Sequence, residues 1–248
     1  MIFKANGYEI VVNTPTKAAL LAAVAARFAE AEGFALATLN LDHLVKLHAS
    51  ARFARTYAAQ DIVVADGNPV VWLSRLARRP VALVPGSEMV LPLAELAAQN
   101  GVKVALFGST EESLKASAEA LKIAVQNIDI SCQIAPPMGF DPESDAAAAM
   151  LAELEASGAG LVFLALGAPK QEAFAARGRS LAPSLGFASI GAGLDFLSGA
   201  QTRAPKWVQV IAMEWAWRAA QAPARLVPRY ARCFLILPRL LFDALSQR

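Results

Sequence analysis

Thr38, Asn40, Asp66, Ser109, Gln171 and Asp195 each stand at or just beyond the end of a short apolar run. If those runs are parallel strands, the six side chains gather along one carboxyl edge, where open α/β sheets bind ligands. Asp66 is the candidate general base: it follows the run Asp61–Ala65 and precedes Gly67, which leaves the backbone free to turn. The same carboxylate could instead cap the helix that Pro69 opens, through an Asp-Gly-Asn turn. Spacing alone does not choose between base and cap. The stretch Leu161–Glu172 has the same form. Six apolar residues between Gly160 and Gly167 read as a strand buried on both faces. Pro169 suits the first position of the following helix, so Lys170, Gln171 and Glu172 fall in its first turn.

Several chemistries lack their residues. There is no GxxxxGK[ST] phosphate loop, no GxGxxG after the first long strand and no GxSxG nucleophile elbow. Gly191 and Gly193 form a glycine pair after a strand that could cradle a diphosphate with backbone N–H groups. No Asp-x-Asp and no His/carboxylate cluster has metal spacing; His43 and His48 lie off one helical face and read as surface or core-edge residues. No metal and no cofactor is expected.

The carboxyl-terminal segment differs from the rest. Residues 1–201 carry 15 Lys+Arg and 19 Asp+Glu, a net of −4, whereas residues 202–248 carry 8 and 2, a net of +6. A basic end on an acidic body points to an anionic partner such as lipid, phosphate or nucleic acid. Arg225, Arg229, Arg232 and Arg239 fall within roughly an 80° arc of a helix, at about 100° per residue. Tyr230, Phe234, Leu237 and Leu241 occupy another arc of about 60°. Such paired stripes mark an interfacial helix, which Pro228 could start and Pro238 kink. The competing reading is a helix packed on its own domain with solvated arginines. Trp207, Trp215 and Trp217 are core residues or interface anchors.

Positioning these residues requires a sheet. A hairpin over Ile2–Val12 turns at Asn6-Gly7. Thr14 and Pro15 open a helix that stops at Gly33. Strands are expected at Phe34–Leu39, Asp61–Ala65, Val102–Phe107, Ile128–Ile134, Leu161–Leu166 and Phe187–Ile190, alternating with helices. Asp195 is expected in the loop after Gly193. This is an α/β fold: mostly parallel sheet or sheets wrapped by helices, in Rossmann-like lobes, with a helical C-terminal appendage. The body spans 1–202 and the appendage 203–248. Two cysteines make no disulfide framework and indicate a reducing cytoplasm; neither a signal peptide nor a membrane-spanning run is present.

In sequence order, Thr38-x-Asn40, Ala65-Asp66-Gly67, Pro85-Gly86-Ser87, Phe107-Gly108-Ser109, Gly167-Ala168-Pro169-Lys170-Gln171-Glu172, Gly191-x-Gly193-x-Asp195-Phe196-x-x-Gly199, Arg203-Ala204-Pro205-x-Trp207, Glu214-Trp215 and Pro223-x-Arg225…Arg229-Tyr230 resemble the motifs of the WecG/TagA/CpsF glycosyltransferases, glycosyltransferase family 26. The resemblance covers about residues 8–240. It implies inverting, metal-independent transfer of a hexose or N-acetylhexosamine from a UDP-sugar to a polyprenyl-diphosphate-linked sugar. The reaction would run at the inner face of the cytoplasmic membrane, in cell-surface polysaccharide synthesis. By the same resemblance Asp66 is the base, and Thr38, Asn40 and Gln171 are active-site polar groups. Arg225, Arg229 and Arg232 close over the site to face the diphosphate. Gly108, Ser109, Glu172, Gly191, Gly193, Asp195 and Arg203 are expected as further substrate contacts. Asp66-Gly67 continues as Asn68-Pro69, where members vary, so no donor sugar is assigned. The appendage would meet an anionic membrane surface, and homo-oligomerisation is left open. A non-catalytic nucleotide- or polyprenyl-diphosphate-binding protein is the alternative. A nucleic-acid partner is not expected, because the leucine-rich tail lacks the necessary Lys/Arg density.

Overall fold

The computed structural model describes residues 1–202, 204–205, 207–208 and 213–248, without the side chains of Arg218 and Arg225. Ile2–Ala5 (β1) and Tyr8–Val11 (β2) pair antiparallel around Asn6 and Gly7, both with positive φ. The remaining strands are Phe34–Leu39 (β3), Ile62–Ala65 (β4), Lys103–Gly108 (β5), Ile130–Ile134 (β6), Ala159–Ala165 (β7) and Gly186–Ser189 (β8). They form one six-stranded sheet in the order β4-β3-β8-β7-β5-β6, with every pairing parallel. The helices are Lys17–Ala29 (α1), Leu41–Ala49 (α2), Ala51–Ala58 (α3), Asn68–Leu76 (α4), Gly86–Gln99 (α5), Glu111–Ala124 (α6), Asp145–Ala156 (α7), Lys170–Leu181 (α8), Gly193–Leu197 (α9), Glu214–Gln221 (α10) and Pro223–Leu245 (α11).

Strand side chains alternate between two apolar layers. Leu36, Val64, Leu106 and Phe163 pack against α1, α5, α6 and α9 through Leu20, Leu93, Leu114 and Leu194. On the opposite face Phe107 and Phe174 stack with centroids 4.3 Å apart beneath α7 and α8. Over β3 and β4 that same face is closed by the hairpin, α2, α3, α4 and the end of α11. Fully burying one such large side chain contributes about 1.5–3 kcal/mol. With both faces covered, ligands can reach only the edges of the sheet. From β3 the chain crosses to β4 at one edge, and from β5 to β6 at the other. The strand order therefore reverses near the inserted β8, and such a reversal opens a crevice at the carboxyl edge.

The structure departs from expectation at several element ends. Thr16, not Thr14, caps α1, its side chain accepting from the N–H of Ala19; Thr14 is buried and its N–H donates to Val63 O. Pro169 sits at the cap of α8 instead of inside its first turn, after a cis bond from Ala168. Asp195 lies in the short helix α9, not in a loop. His43 is buried at 5% exposure, not at the surface. The last helix starts at Pro223 and runs through both Pro228 and Pro238. Both prolines face outward, where water can satisfy the carbonyls they leave without a partner, while Leu226, Cys233, Leu240 and Ala244 are buried along the inner side. Gln247 ties the chain end to β1, donating to Ile2 O and accepting from Ile2 N–H.

Candidate functional site

Asp66 directly follows β4, and its backbone N–H donates to Leu39 O at 2.8 Å, next to Asn40. The cap of α4 is Gly67, with φ of +120° and no side-chain cap bond. The cap position of α4 thus falls one residue past Asp66. Gly67 has the backbone conformation that L side chains rarely adopt, and it turns the chain between Asp66 and the helix. Asn40, by contrast, is a cap: its Oδ1 accepts from His43 N–H at 3.1 Å, which leaves its amide hydrogens as donors. Thr38 is buried beside them and donates to Ser189 O. Register brings β3 and β4 together as Leu39 opposite Ala65, so Thr38, Asn40 and Asp66 form one group.

Ser109 and Asp195 form a second group, with Ser109 three to four interstrand spacings, or roughly 14–19 Å, from the first. Gly108 can turn there with φ of +113°, and a Cβ would lie 2.5 Å from Ala165 O. Ser109 Oγ donates to Asp195 Oδ1 at 2.7 Å, Ser113 Oγ reaches the same oxygen at 3.2 Å, and Gln201 Nε2 donates to Oδ2 at 2.8 Å. The glycine pair divides its roles. Gly193 donates its N–H to Ile190 O, and its missing Cβ makes room for Val90, so packing accounts for it. Gly191 is open on its Cβ side and leaves space for a ligand.

Gln171 and Glu172 lie beneath the first group, at 2% and 0% exposure. Gln171 Nε2 donates to Glu172 Oε1 at 2.9 Å, and His43 Nε2 stands 3.9 Å from that oxygen. Burial pushes the Glu172 carboxyl up to about 7, against the hydrogen bond from Gln171. Burial, helped by the Lys46 charge, drives His43 down to about 4. Tyr57 is raised by burial and by the charges of Glu172 and Asp66 beside it.

The tail helix reaches this end of the sheet. Arg229 pairs with Asp42 at 2.9 Å, and Lys46 pairs with the same carboxylate at 2.8 Å. Burial raises the Asp42 carboxyl, but the Lys46 hydrogen bond and the Arg229 and Lys46 charges outweigh it and hold the group below its usual value. Lys46 also donates to Ala168 O, joining α2 to the loop before Gln171. Asp42, Lys46, Arg229 and Arg232 line a cleft of about 330 Å³ between α2 and α11. Arg203 and the Arg225 side chain lie outside the described residues. Asp42, His43 and Lys46 were not among the sequence candidates. The i,i+4 pairing of Asp42 with Lys46 was legible, but nothing in the sequence said that Arg229 would meet it.

The apolar stripe expected on α11 is divided. Phe234 and Leu241 are exposed, whereas Tyr230 and Leu237 are half-buried. Trp215 of α10 packs edge-on against Tyr230 and Phe234, and Trp207 is exposed. Among the described residues no helix is long and apolar enough to cross a membrane. The model of the Glycosyl transferase WecG/TagA/CpsF family matches residues 5–248, and the chain belongs to that family. It is a glycosyltransferase of cell-surface polysaccharide synthesis.

Proposed function

From that membership we propose that the protein transfers a hexose or N-acetylhexosamine from a UDP-sugar to a polyprenyl-diphosphate-linked sugar, with inversion and without a metal. The observation that carries the reading is the meeting of Asp66 with Thr38 and Asn40 at the edge that α11 approaches through Arg229. The donor lies along the carboxyl edge with its nucleotide toward Ser109 and Asp195 and its sugar at Asp66. Asp66 takes the proton of the acceptor hydroxyl, which attacks the anomeric carbon from the face opposite UDP. A positioned carboxylate contributes about 10²–10⁴-fold in this role. The departing diphosphate carries charge that the Gly191 turn and the arginines of α11 can meet.

The acceptor's lipid explains the outer side of α11. Val227, Phe234, Leu235, Leu241, Phe242 and Leu245 are exposed there. Arg232 and Arg239 flank that apolar side at about 100° per residue. An apolar strip edged by arginine suits an anionic bilayer surface at the cytoplasmic face. The test is UDP release by purified protein from a panel of UDP-sugars, with a short-chain polyprenyl-diphosphate sugar and excess EDTA. Release that depends on both substrates is the expected result. Activity lost to EDTA and restored by Mg²⁺ or Mn²⁺ would overturn the metal-independent mechanism.

A further inference from the structure

The tail helix α11 lies against two helices of the body, α2 and α4. Its buried line is Leu226, Cys233, Leu240 and Ala244. Counted from that line at about 100° per residue, Arg229, Arg239 and Asp243 fall on one flank. That flank faces α2, because Arg229 pairs with Asp42, and Arg239 and Asp243 bear on His48. Phe234, Leu241 and Leu245 fall on the other flank, toward α4. There Leu240 and Ala244 join a buried cluster with Val70 and Leu73 of α4, and Arg248 Nε donates to Leu76 O at 2.8 Å.

The outer side of α4 carries Trp72, which is 56% exposed. A single exposed apolar side chain needs no explanation, but Trp72 adds to the exposed Phe234, Leu241 and Leu245 of the neighbouring flank. Arg75, Arg78 and Arg79 follow it and are exposed as well. Residues 67–87 hold these three arginines and no Asp or Glu. An indole among aliphatic side chains, edged by charge of one sign, complements anionic lipid: the ring suits the headgroup level and arginine suits phosphate.

We propose that α4 is a second lipid contact, made by the body itself: Trp72 seats among the headgroups of an anionic bilayer, Arg75, Arg78 and Arg79 meet its phosphates, and α4 and the adjoining flank of α11 form one membrane surface. The inference rests on the membrane contact proposed for α11 and names the part of the body that shares it. One helix lying on a bilayer leaves the body free to roll about the helix axis. A second contact beside it removes that freedom. α4 starts two residues past Asp66, and Trp72 stands four residues into it, roughly 6 Å along the axis from Asn68. Headgroups at Trp72 therefore lie within roughly two helical turns of Asp66, close to the level at which a lipid diphosphate carries its sugar.

The experiment is co-sedimentation of the full chain with phosphatidylcholine vesicles, either pure or with about one third phosphatidylglycerol. It compares wild type, Trp72→Ala and the triple variant Arg75→Gln/Arg78→Gln/Arg79→Gln. Wild type should bind the anionic vesicles and hardly bind the neutral ones. Trp72→Ala should bind the anionic vesicles roughly tenfold more weakly. The triple variant should lose roughly 100-fold, at about fivefold per arginine. The melting temperature, and UDP release with a soluble short-chain acceptor, should both hold, because they need no bilayer and read whether α11 is still seated. Wild-type vesicle binding by both variants overturns the proposal and leaves the surface to a protein partner. Weaker binding together with a lower melting temperature and lost soluble turnover also overturns it, since α4 then acts by seating α11. Should Trp72→Ala not fold, the triple variant decides alone, as its side chains are exposed. No binding of wild type to anionic vesicles overturns the membrane reading of α11, and this inference with it.

Discussion

Replacing Arg229 with Ala separates two roles for the tail helix. Arg229 is 39% exposed and its partner Asp42 11% exposed, with 2.9 Å between the charged atoms. Asp42 keeps Lys46 at 2.8 Å when the arginine is lost, so no buried carboxylate is stranded. An ion pair this open to solvent is screened and contributes about 0.5–1 kcal/mol. That corresponds to a fall in Tm of roughly 1–4 °C for a chain of this size. The helix remains seated through Leu226, Cys233, Leu240 and Ala244. Catalysis should suffer far more. A donor aimed at developing diphosphate charge is worth about 10²–10³ in turnover, or roughly 3–4 kcal/mol. Thermal melting and UDP release with a soluble short-chain acceptor, without membrane, measure the two effects on the same protein. Turnover within about threefold of wild type, together with a Tm lower by far more than a few degrees, would refute the catalytic role and make Arg229 a strap between α11 and α2. The pH dependence has a definite sign. The folded Asp42 carboxyl lies below its ordinary value of 3.8, so its pairing stabilises the fold fully above that pH and is lost as pH falls from there through the lowered folded value. The Tm difference between wild type and variant should therefore shrink in acid.

Asp66→Asn should lower turnover by roughly 10²–10⁴-fold with UDP affinity nearly unchanged by calorimetry; near-normal turnover would remove Asp66 from the mechanism. Arg239 is exposed and only loosely paired with Asp243 at 3.9 Å, so under the proposed lipid contact it is the arginine to reverse. Reversing it to Glu changes the charge by two, about 2 kcal/mol on an anionic surface, so co-sedimentation with anionic vesicles should weaken roughly 30-fold while soluble turnover holds. The Glu172 carboxyl rises from 4.5 to about 7 on folding, so the folded state binds the proton more tightly and stability falls as pH rises between those values. Glu172→Gln should therefore melt higher than wild type at pH 8, by up to about 3 kcal/mol, and little differently below 4.5; equal melting at both pH values would show that the carboxyl is not strained by burial.

Much of the sheet could be read from local sequence, because a doubly covered strand needs an unbroken apolar run and a breaker at each end. Phe34–Leu39 is such a run, and the structure places β3 on those residues. Helix ends were less legible. Thr14 and Thr16 both offer a hydroxyl before α1, and only the packing of Thr14 against β4 decides that Thr16 becomes the cap. Motif order was enough for the resemblance that the family match bears out. Those motifs also held Thr38, Asn40, Asp66 and Gln171.

What the sequence alone determined was where strands end, to within one residue, because that follows from hydrophobicity and turn chemistry between near neighbours. The tertiary structure decided what the residues at those ends face. Asn40 and Asp66 are both polar residues after a strand, yet the cap position falls on Asn40 itself for α2 and on Gly67, one residue past Asp66, for α4. Ser109 and Asp195 are 86 residues apart and meet only because the chain returns through β8. On α11 a helical wheel shows apolar residues on two sides, and periodicity cannot say which side turns inward. The body selects Leu226, Cys233, Leu240 and Ala244, and that rotation brings Arg229 to Asp42 and leaves Phe234, Leu241 and Phe242 outside. Such contacts depend on the shape of a surface made by distant segments, and local sequence carries no record of it.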